Sequence, residues 1–258
     1  MMNFIFYWVG GATFILSIGN LKIAVDPVLC EQGNVQDYFW FKSKRIEQPA
    51  YQTKQFEDVD LWLITHNHED HLDSLGLSVI SPHSKVITNK NSLKKLQTSK
   101  AKDITVLKRK QSISFELKGY QITILAIPAI HGIAPYSAIA AGKVNGYYLT
   151  LTKNGITKSI YITGDTVYKN RVVKPLKNKK IDLMIPNLGA AGQGTWTMNL
   201  TLNAKMLNKM TQRLNPSMVI PVHFGTFQHY NESIDKVKAL NNTRIKILNV
   251  GDSLKFAL

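Results

Sequence analysis

The chain has 258 residues, 44% of them hydrophobic, so a sizeable core is available and one large domain or two small ones would fit. Its 32 basic and 17 acidic residues give a formal charge of +15, which favours phosphates, nucleic acid or an anionic membrane surface as partners. A basic surface without any such partner is equally open. The single cysteine, Cys30, excludes an intrachain disulfide and a cysteine-rich zinc site, and it is typical of a reducing compartment. We therefore expect a cytoplasmic protein.

The first residues, MMNFIFYWVGGATFILSI, are apolar enough for a signal peptide, but they lack a basic start and two glycines interrupt them. They are interpreted as strands at 4–9 and 13–17, followed by a strand at 22–25 and a turn at Asp26-Pro27. No other segment approaches the length of a membrane span, so no transmembrane segment is expected.

Residues 31–57 are irregular, polar and aromatic, which predicts a long surface loop, and such loops are often functional. A strand at 60–65 then runs into the stretch T-H-N-H-E-D-H-L-D. A helix is predicted at 91–97, with Asn91 as its N-cap. Cys30, just before the long loop, has no histidine partner in the sequence and is expected to serve packing or the surface.

The remaining pattern is rich in strands. Strands are predicted at 86–88, 104–107, 112–117, 121–127, 146–151, 159–163, 182–185, 218–222 and 245–248, and helices at 200–214 and 232–240. Because the strands lie in consecutive runs, two packed sheets with helices outside fit better than a βαβ alternation. No repeat or linker interrupts the pattern.

Potential metal ligands directly follow four of the predicted strands: His66, His131, Asp165 and His223. Active sites are commonly built at strand ends. His66 and His68 are two residues apart and point to the same side of an extended segment, and Asp70 and His71 follow them. Three imidazoles so close together would repel one another if charged and need partners if buried, so a metal site is favoured over a polar loop. These five histidines and two aspartates suffice for two divalent ions, with zinc expected first and manganese, iron or nickel also compatible.

The other two histidines are judged singly, because a lone histidine is more often structural than a ligand. For His83, in S-P-H-S, the structural role is expected. For His229, in F-Q-H-Y, a contact with the substrate or with a metal ligand is weighed evenly against a structural role.

The residues resemble the metallo-β-lactamase superfamily along nearly the whole chain. T-H-N-H-E-D-H-L-D resembles its H-x-H-x-D-H signature, and later matches follow in order at His131, at Asp165 in T-G-D-T and at His223 in P-V-H-F-G-T. W-V-G-G-A-T-F and V-D-P are similar to its opening hairpin and turn. The resemblance implies an α+β fold: an αββα four-layer sandwich of two mixed β-sheets with helices on the outer faces. It also implies a single domain over residues 1–258 with the metals at one edge.

By motif, the resemblance implies a first ion bound by His66, His68 and His131, a second ion bound by Asp70, His71 and His223, and Asp165 as the bridging ligand. Relatives that hydrolyse β-lactams usually lack a histidine at the place of His71, and most have a cysteine at that of Asp165. Antibiotic hydrolysis is therefore disfavoured. The chain is most similar to the branch with ascorbate-phosphate lactonase-like and N-acylphosphatidylethanolamine phospholipase D-like proteins, although Asn199 stands where many relatives have an acid.

The function expected from the site is that of a metal-dependent hydrolase. A hydroxide held by two metal ions would attack an ester, lactone or phosphodiester bond of a small anionic substrate. Asp70 is the candidate catalytic residue, as a proton shuttle, although a second water would also serve. His229 and Trp196 are candidate substrate contacts. The basic segments 90–110 and 169–180 would steer the substrate or simply be solvated.

Two other classes of function stay open. A protein that binds nucleic acid or a membrane surface, with a structural metal site, suits the charge and the aromatic run at 38–41, although a structural zinc site needs only about four ligands. An iron-dependent oxidoreductase of the same superfamily would use the same ligands. Nucleic acid is less favoured as a partner than a small molecule, and a homo-oligomer is compatible with the sequence.

Overall fold

The computed structural model describes residues 1–38, 41–132, 142–192 and 199–258. The strands are β1 Asn3–Gly10, β2 Thr13–Ile18, β3 Leu21–Val25, β4 Val35–Asp37, β5 Lys42–Lys44, β6 Leu61–Leu63, β7 Lys85–Thr88, β8 Asp103–Val106, β9 Ser112–Leu117, β10 Tyr120–Pro128, β11 Asn145–Lys153, β12 Ile156–Ile162, β13 Leu183–Ile185, β14 Met218–Val219 and β15 Ser253–Ala257. The helices are α1 Lys54–Glu57, α2 Ser74–Ser78, α3 Leu93–Leu96, α4 Asn170–Val173, α5 Ala204–Leu214 and α6 Asp235–Lys238, with 3-10 turns at Lys90–Ser92 and Lys174–Leu176.

The strands form two large mixed sheets and a small ribbon. The first sheet has the order β15-β1-β2-β3-β6-β7-β8, antiparallel from β15 to β3 and parallel from β3 to β8. The second has the order β14-β13-β12-β11-β10-β9, parallel from β14 to β12 and antiparallel beyond. Strands β4 and β5 pair as a separate hairpin.

Alternate residues of the first sheet enter different cores, because successive strand side chains point to opposite faces. In β6, Leu61 and Leu63 belong to the large core shared with the second sheet. Trp62, between them, belongs to a second core with Phe56 of α1 and Leu77 of α2. The sheets therefore pack against each other, and short helices cover the outer face of the first.

The outer face of the second sheet is covered in the same way. Leu207 and Met210 of the amphipathic helix α5 join the core with Val172 of α4 and Val237 of α6. The four-layer αββα arrangement implied by the resemblance is confirmed. In the described part of the chain, every helix is too short or too polar to cross a lipid bilayer.

Several predicted element boundaries are corrected. Residues 245–248 are not the last strand, because only Ile245 forms an isolated bridge, whereas β15 pairs with β1 and is the edge strand of the first sheet. Asn89, and not Asn91, caps the turn before α3, since its Oδ1 accepts from the Ser92 N–H at 3.0 Å. The helix predicted from residue 200 begins at Ala204. The loop at 31–57 contains the β4–β5 hairpin and α1.

Candidate metal centre

The carboxyl ends of several strands meet at one edge of the sandwich. Strands β10, β12 and β14 run in the same direction, and they are followed by His131, Asp165 and His223. In the first sheet, β6 is followed by Thr65 and His66. The Asn145 N–H at the start of β11 donates to the Thr65 carbonyl oxygen at 3.1 Å, which joins the two sheets at this edge. Strand direction thus brings distant sequence positions together.

The structure gathers all seven predicted ligands into two groups. Within each group, one possible ligand atom per residue lies within 4.8 Å of the others: His66, His68 and His131 form the first ligand group, and Asp70, His71, Asp165 and His223 form the second. All are buried except His68, which is half-buried. Their roles as metal ligands stay a prediction, but their side chains lie as close together as metal binding requires.

Asp165 belongs to the second ligand group, and it turns one carboxylate oxygen towards the histidines of each group. Its Oδ2 is 3.6 Å from His131 Nε2 and 3.8 Å from His66 Nε2. Its Oδ1 is 3.2 Å from His71 Nε2 and 3.6 Å from His223 Nε2. This is the arrangement that a bridging carboxylate needs.

The site histidines are oriented through the ring nitrogen that faces away from the centre. Nδ1 donates to an oxygen in three of them: His71 to Asp26 Oδ2 at 2.8 Å, His131 to the Leu200 carbonyl at 2.9 Å and His223 to the Leu188 carbonyl at 3.1 Å. In the neutral tautomer that these contacts select, Nε2 has a lone pair and points into the site.

These inward nitrogens are unusually close to one another. His68 Nδ1 is 3.2 Å from Nε2 of His66 and 3.2 Å from Nε2 of His131, and His71 Nε2 is 3.1 Å from His223 Nε2. Converging lone pairs repel unless a proton or a cation lies among them. Asp70 Oδ1 is also buried with no hydrogen-bond partner in the described residues. The donor set therefore fits divalent cations that accept imidazole and carboxylate ligands.

The charge states at this site favour a cation. Burial lowers the pKa of His66 and of His131, and it lowers the pKa of His68 to about 3, so these rings are neutral near pH 7. Burial raises the pKa values of Asp70 and Asp165, but the surrounding histidines outweigh it and hold both well below the ordinary carboxyl value. Ionised carboxylates among neutral imidazoles attract positive charge.

His71 behaves in the opposite way. Burial lowers its pKa, but Asp165, Asp70 and Asp26 together outweigh burial and raise the pKa well above the ordinary value. A proton would therefore compete with a metal ion for His71 Nε2, and the metal would release that proton on binding.

Asp26, in the V-D-P turn, orients two of the site histidines through hydrogen bonds: His71 directly, and His66 through Thr65. Its Oδ2 accepts from the Thr65 hydroxyl at 2.6 Å and from His71, while the Thr65 oxygen lies 3.0 Å from His66 Nδ1. Asp26 and His223 both have positive φ, at 41° and 64°, which non-glycine residues rarely adopt. From the sequence, Asp26 is predicted only as a turn residue; the signal for its second role is a carboxylate placed directly after a buried strand.

The other two acids of T-H-N-H-E-D-H-L-D have structural partners. Asp73 caps α2 by accepting from the Gly76 N–H at 2.6 Å, and its second oxygen accepts from the Leu29 and Cys30 N–H groups. Glu69 pairs with Lys95 on the surface. The stretch thus combines ligands with the contacts that hold them, which explains its unusual composition.

His229 lies beside the second ligand group, as part of a short hydrogen-bonded chain. Its Nε2 is 3.1 Å from Asp70 Oδ2, its Nδ1 is 2.6 Å from Ser43 Oγ, and the Tyr230 hydroxyl donates to the same Asp70 oxygen at 3.3 Å. Its contact with substrate stays a prediction. Trp196 lies outside the described residues. His83 is exposed and belongs to neither ligand group, and its structural role stays a prediction.

The β4–β5 hairpin from the long loop stands beside the site. Tyr38 and Phe41 stack on each other with ring centroids 4.9 Å apart. Tyr38 lies 5.2 Å from the ring of His229 and 6.2 Å from that of His68, and Phe41 lies 5.6 Å from His229. The two aromatic rings form a wall next to the half-buried His68.

Comparison with known proteins agrees with this fold. The profile of the β-lactamase superfamily domain matches residues 6–223. A metal-dependent hydrolase of Thermodesulfovibrio yellowstonii is 28% identical over 265 residues, covering 96% of the chain and 90% of that protein. The N-acyl-phosphatidylethanolamine-hydrolyzing phospholipase D 1 of Caenorhabditis elegans is 24% identical over 259 residues, covering 92% of the chain and 69% of that protein. The crystal structure of a possible metal-dependent hydrolase from Veillonella parvula superposes with a TM-score of 0.80 at 22% identity, covering 98% of the chain and 99% of that one.

Fold, site and relatives together define the class of protein: an enzyme, a metal-dependent hydrolase. The chain belongs to the β-lactamase superfamily.

Proposed function

We propose that the chain binds two divalent ions, zinc in the first place, and hydrolyses an ester, lactone or phosphodiester bond of a small anionic substrate. One observation supports this most: two ligand groups face each other across a single carboxylate, with one oxygen of Asp165 towards each. A structural zinc site is closed by about four ligands and needs no second group.

Divalent ions bound in this pair of groups would lower the pKa of a bound water and stabilise the negative charge that develops on the substrate. The protein's part is to hold this centre in place. Asn187 Nδ2 donates to Asp165 Oδ1 at 2.9 Å and so fixes the orientation of the bridging carboxylate. The low pKa of Asp70 keeps it ionised, and its unpartnered Oδ1 would accept a hydrogen bond from the attacking water and orient it.

The positive charge supports an anionic substrate. Burial lowers the pKa of Arg109 in the basic segment 90–110, and the positive charge of Arg171 in the segment 169–180 lowers it further. Arg109 donates to the Ala129 carbonyl at 2.9 Å, two residues before His131. No ion pair with a carboxylate is found for either arginine in the described residues, and residues 39–40, 133–141 and 193–198 contain no acid. Both guanidinium groups are thus available to an anion.

The wall of Tyr38 and Phe41 supports an apolar or planar part in the substrate. Both rings contact His229, and Tyr38 also contacts His68 at the more open side of the centre. Replacing both by alanine is expected to raise KM more than it changes metal content. Equal loss of metal and substrate binding would mean that the hairpin is structural.

The test of the proposal is the metal content of the purified protein and of His68→Ala, with hydrolysis of a generic phosphodiester and a generic lactone measured on both. His68 is half-buried, so its removal perturbs the fold less than that of the other ligands. Exposed His83→Ala is the matched control. We expect two ions per chain and hydrolysis of one substrate, both reduced in His68→Ala and unchanged in His83→Ala.

Three other results would overturn parts of the proposal. A single ion that stays after loss of His68, with no hydrolysis, would favour a binding protein with a structural metal. Nucleic-acid or vesicle binding that survives chelation would support that class. Coloured protein that holds iron and reacts with oxygen would favour an oxidoreductase.

A further inference from the structure

A buried hydrogen-bonded chain links the hairpin to the second ligand group. Ser43 in β5 lies 2.6 Å from His229 Nδ1, and His229 Nε2 lies 3.1 Å from Asp70 Oδ2. Only 1% of Ser43 and 7% of His229 is exposed. Each polar atom of the imidazole is therefore engaged within the protein.

We propose that Ser43 and His229 are positioning residues that orient the Asp70 carboxylate for its metal ion; this rests on the proposed function. An imidazole has two ring nitrogens, and both are used here. Because Nδ1 is hydrogen-bonded to Ser43 and the Nε2–H donates to Asp70, no polar ring atom of His229 remains for a hydrogen bond with a substrate. Of the two contacts predicted for His229 from the sequence, this assignment selects the one with a metal ligand over the one with the substrate.

The same three residue types occur in serine hydrolases, but a nucleophilic role for Ser43 does not fit. A nucleophile must reach the substrate, and Ser43 is almost fully covered. In addition, the aspartate that His229 contacts, Asp70, belongs to the second ligand group, where its Oδ2 lies 3.3 Å from His223 Nε2. Donors that hold a metal-binding carboxylate orient the ligand and tune its basicity.

Backbone hydrogen bonds also join the two segments that carry Ser43 and His229. The Gln228 N–H donates to the Lys44 carbonyl at 3.0 Å, and the Ile46 N–H donates to the Thr226 carbonyl at 2.8 Å. Strand β5 and the segment before His229 are therefore held against each other by backbone hydrogen bonds. The hairpin that carries the aromatic wall is thus tied to Asp70 through one imidazole.

The test measures zinc affinity of the full-length protein by competition with a chromogenic chelator. His229→Ala removes the donor to Asp70, and we expect the weaker of the two zinc ions to bind about 10–100-fold less tightly. His229→Gln restores an N–H donor of similar reach and should recover part of this loss. Ser43→Ala leaves the ring without its anchor and should shift affinity in the same direction, by less.

Controls separate positioning from unfolding and from substrate binding. His83→Ala should leave zinc affinity unchanged, and metal-free Ser43→Ala and His229→Gln should unfold near the wild-type Tm. Unchanged zinc affinity in His229→Ala, with a raised KM alone, would overturn the inference and favour a substrate contact. A wild-type protein that binds no zinc would overturn both the proposed function and this inference, whereas two ions bound equally well by all variants would overturn only the inference.

Discussion

Asp165 is the residue whose geometry is most specific, because its two oxygens face different ligand groups. Asp165→Asn keeps the shape but replaces one oxygen by an amide that cannot bind a cation. We expect one of the two ions to be lost and kcat/KM to fall by about 100-fold or more. Metal analysis and steady-state kinetics check this, with Asp58→Asn, an exposed partner of Lys22, as control. Retention of both ions would remove Asp165 from the bridging role.

Cys30 permits a second prediction at the scale of one residue. It packs with Val28, Phe227 and Tyr230, and burial raises its pKa to about 11 from the ordinary 9.0. Because only the thiolate is a nucleophile, about 100-fold less of it is present at pH 8 than in an unfolded chain. Iodoacetamide should therefore modify the native protein far more slowly than the urea-unfolded one. Equal rates by mass spectrometry would show that Cys30 is accessible.

At the scale of elements, Asp182 joins β13 to β12. Its buried carboxylate accepts from the Ser159 N–H at 2.9 Å and from the Ser159 hydroxyl at 3.0 Å, with exposed Lys180 at 2.8 Å. Burial raises the pKa of Asp182, but Lys180 and Ser159 outweigh it and the pKa is lowered. The carboxylate therefore stabilises the fold above its unfolded pKa of about 3.9, and this contribution is lost as the pH falls through the lower folded value.

Asp182→Asn should consequently destabilise the protein by about 1–2 kcal/mol at pH 7, mostly through Ser159, since the exposed Lys180 pair is screened. The difference from wild type should shrink as the pH falls below 4. Urea unfolding across this pH range measures it. Asp235→Asn, which removes an exposed pair with Lys238, should change little at any pH. A difference between wild type and Asp182→Asn that is constant with pH would contradict the assignment.

The elements also show what the sequence could predict. Most strands and all seven clustered residues were predictable, because apolar strands end directly on His66, His131, Asp165 and His223, and strand ends meet at one edge. The residues that orient these ligands were not predictable from the sequence. Ser43 and His229 are 186 positions apart, and nothing local to either indicates the contact. The prediction of short elements failed for the same reason, because their partners are distant in the sequence. Residues 253–257 form β15 because they pair with β1 at the edge of the first sheet.

At the scale of the molecule, the proposed ions join the two sheets, since His66 and His71 follow β6 whereas Asp165 and His223 follow strands of the second sheet. Removing them with a chelator should lower the Tm by roughly 20 °C, because zinc at a thousandfold excess over its Kd contributes about 4 kcal/mol per ion and each kcal/mol is worth about 2–4 °C in a chain of this size. Calorimetry with and without zinc checks this. His68→Ala should show a smaller shift, and an unchanged wild-type Tm would argue against occupied sites.

The net charge of +15 belongs to the whole molecule, but its effect on catalysis should be local. If Arg109 and Arg171 attract an anionic substrate, kcat/KM should fall steeply as salt rises from about 0.05 to 0.5 M, because the screening length shortens from over 10 Å to about 4 Å. The double variant Arg109→Gln/Arg171→Gln should have a lower kcat/KM at low salt and a flatter salt dependence. Arg213→Gln/Arg244→Gln removes the same charge from elsewhere and should keep the wild-type slope. Equal slopes in both double variants would mean that the general field, and not this pair, attracts the substrate; a flat wild-type response would mean that neither does.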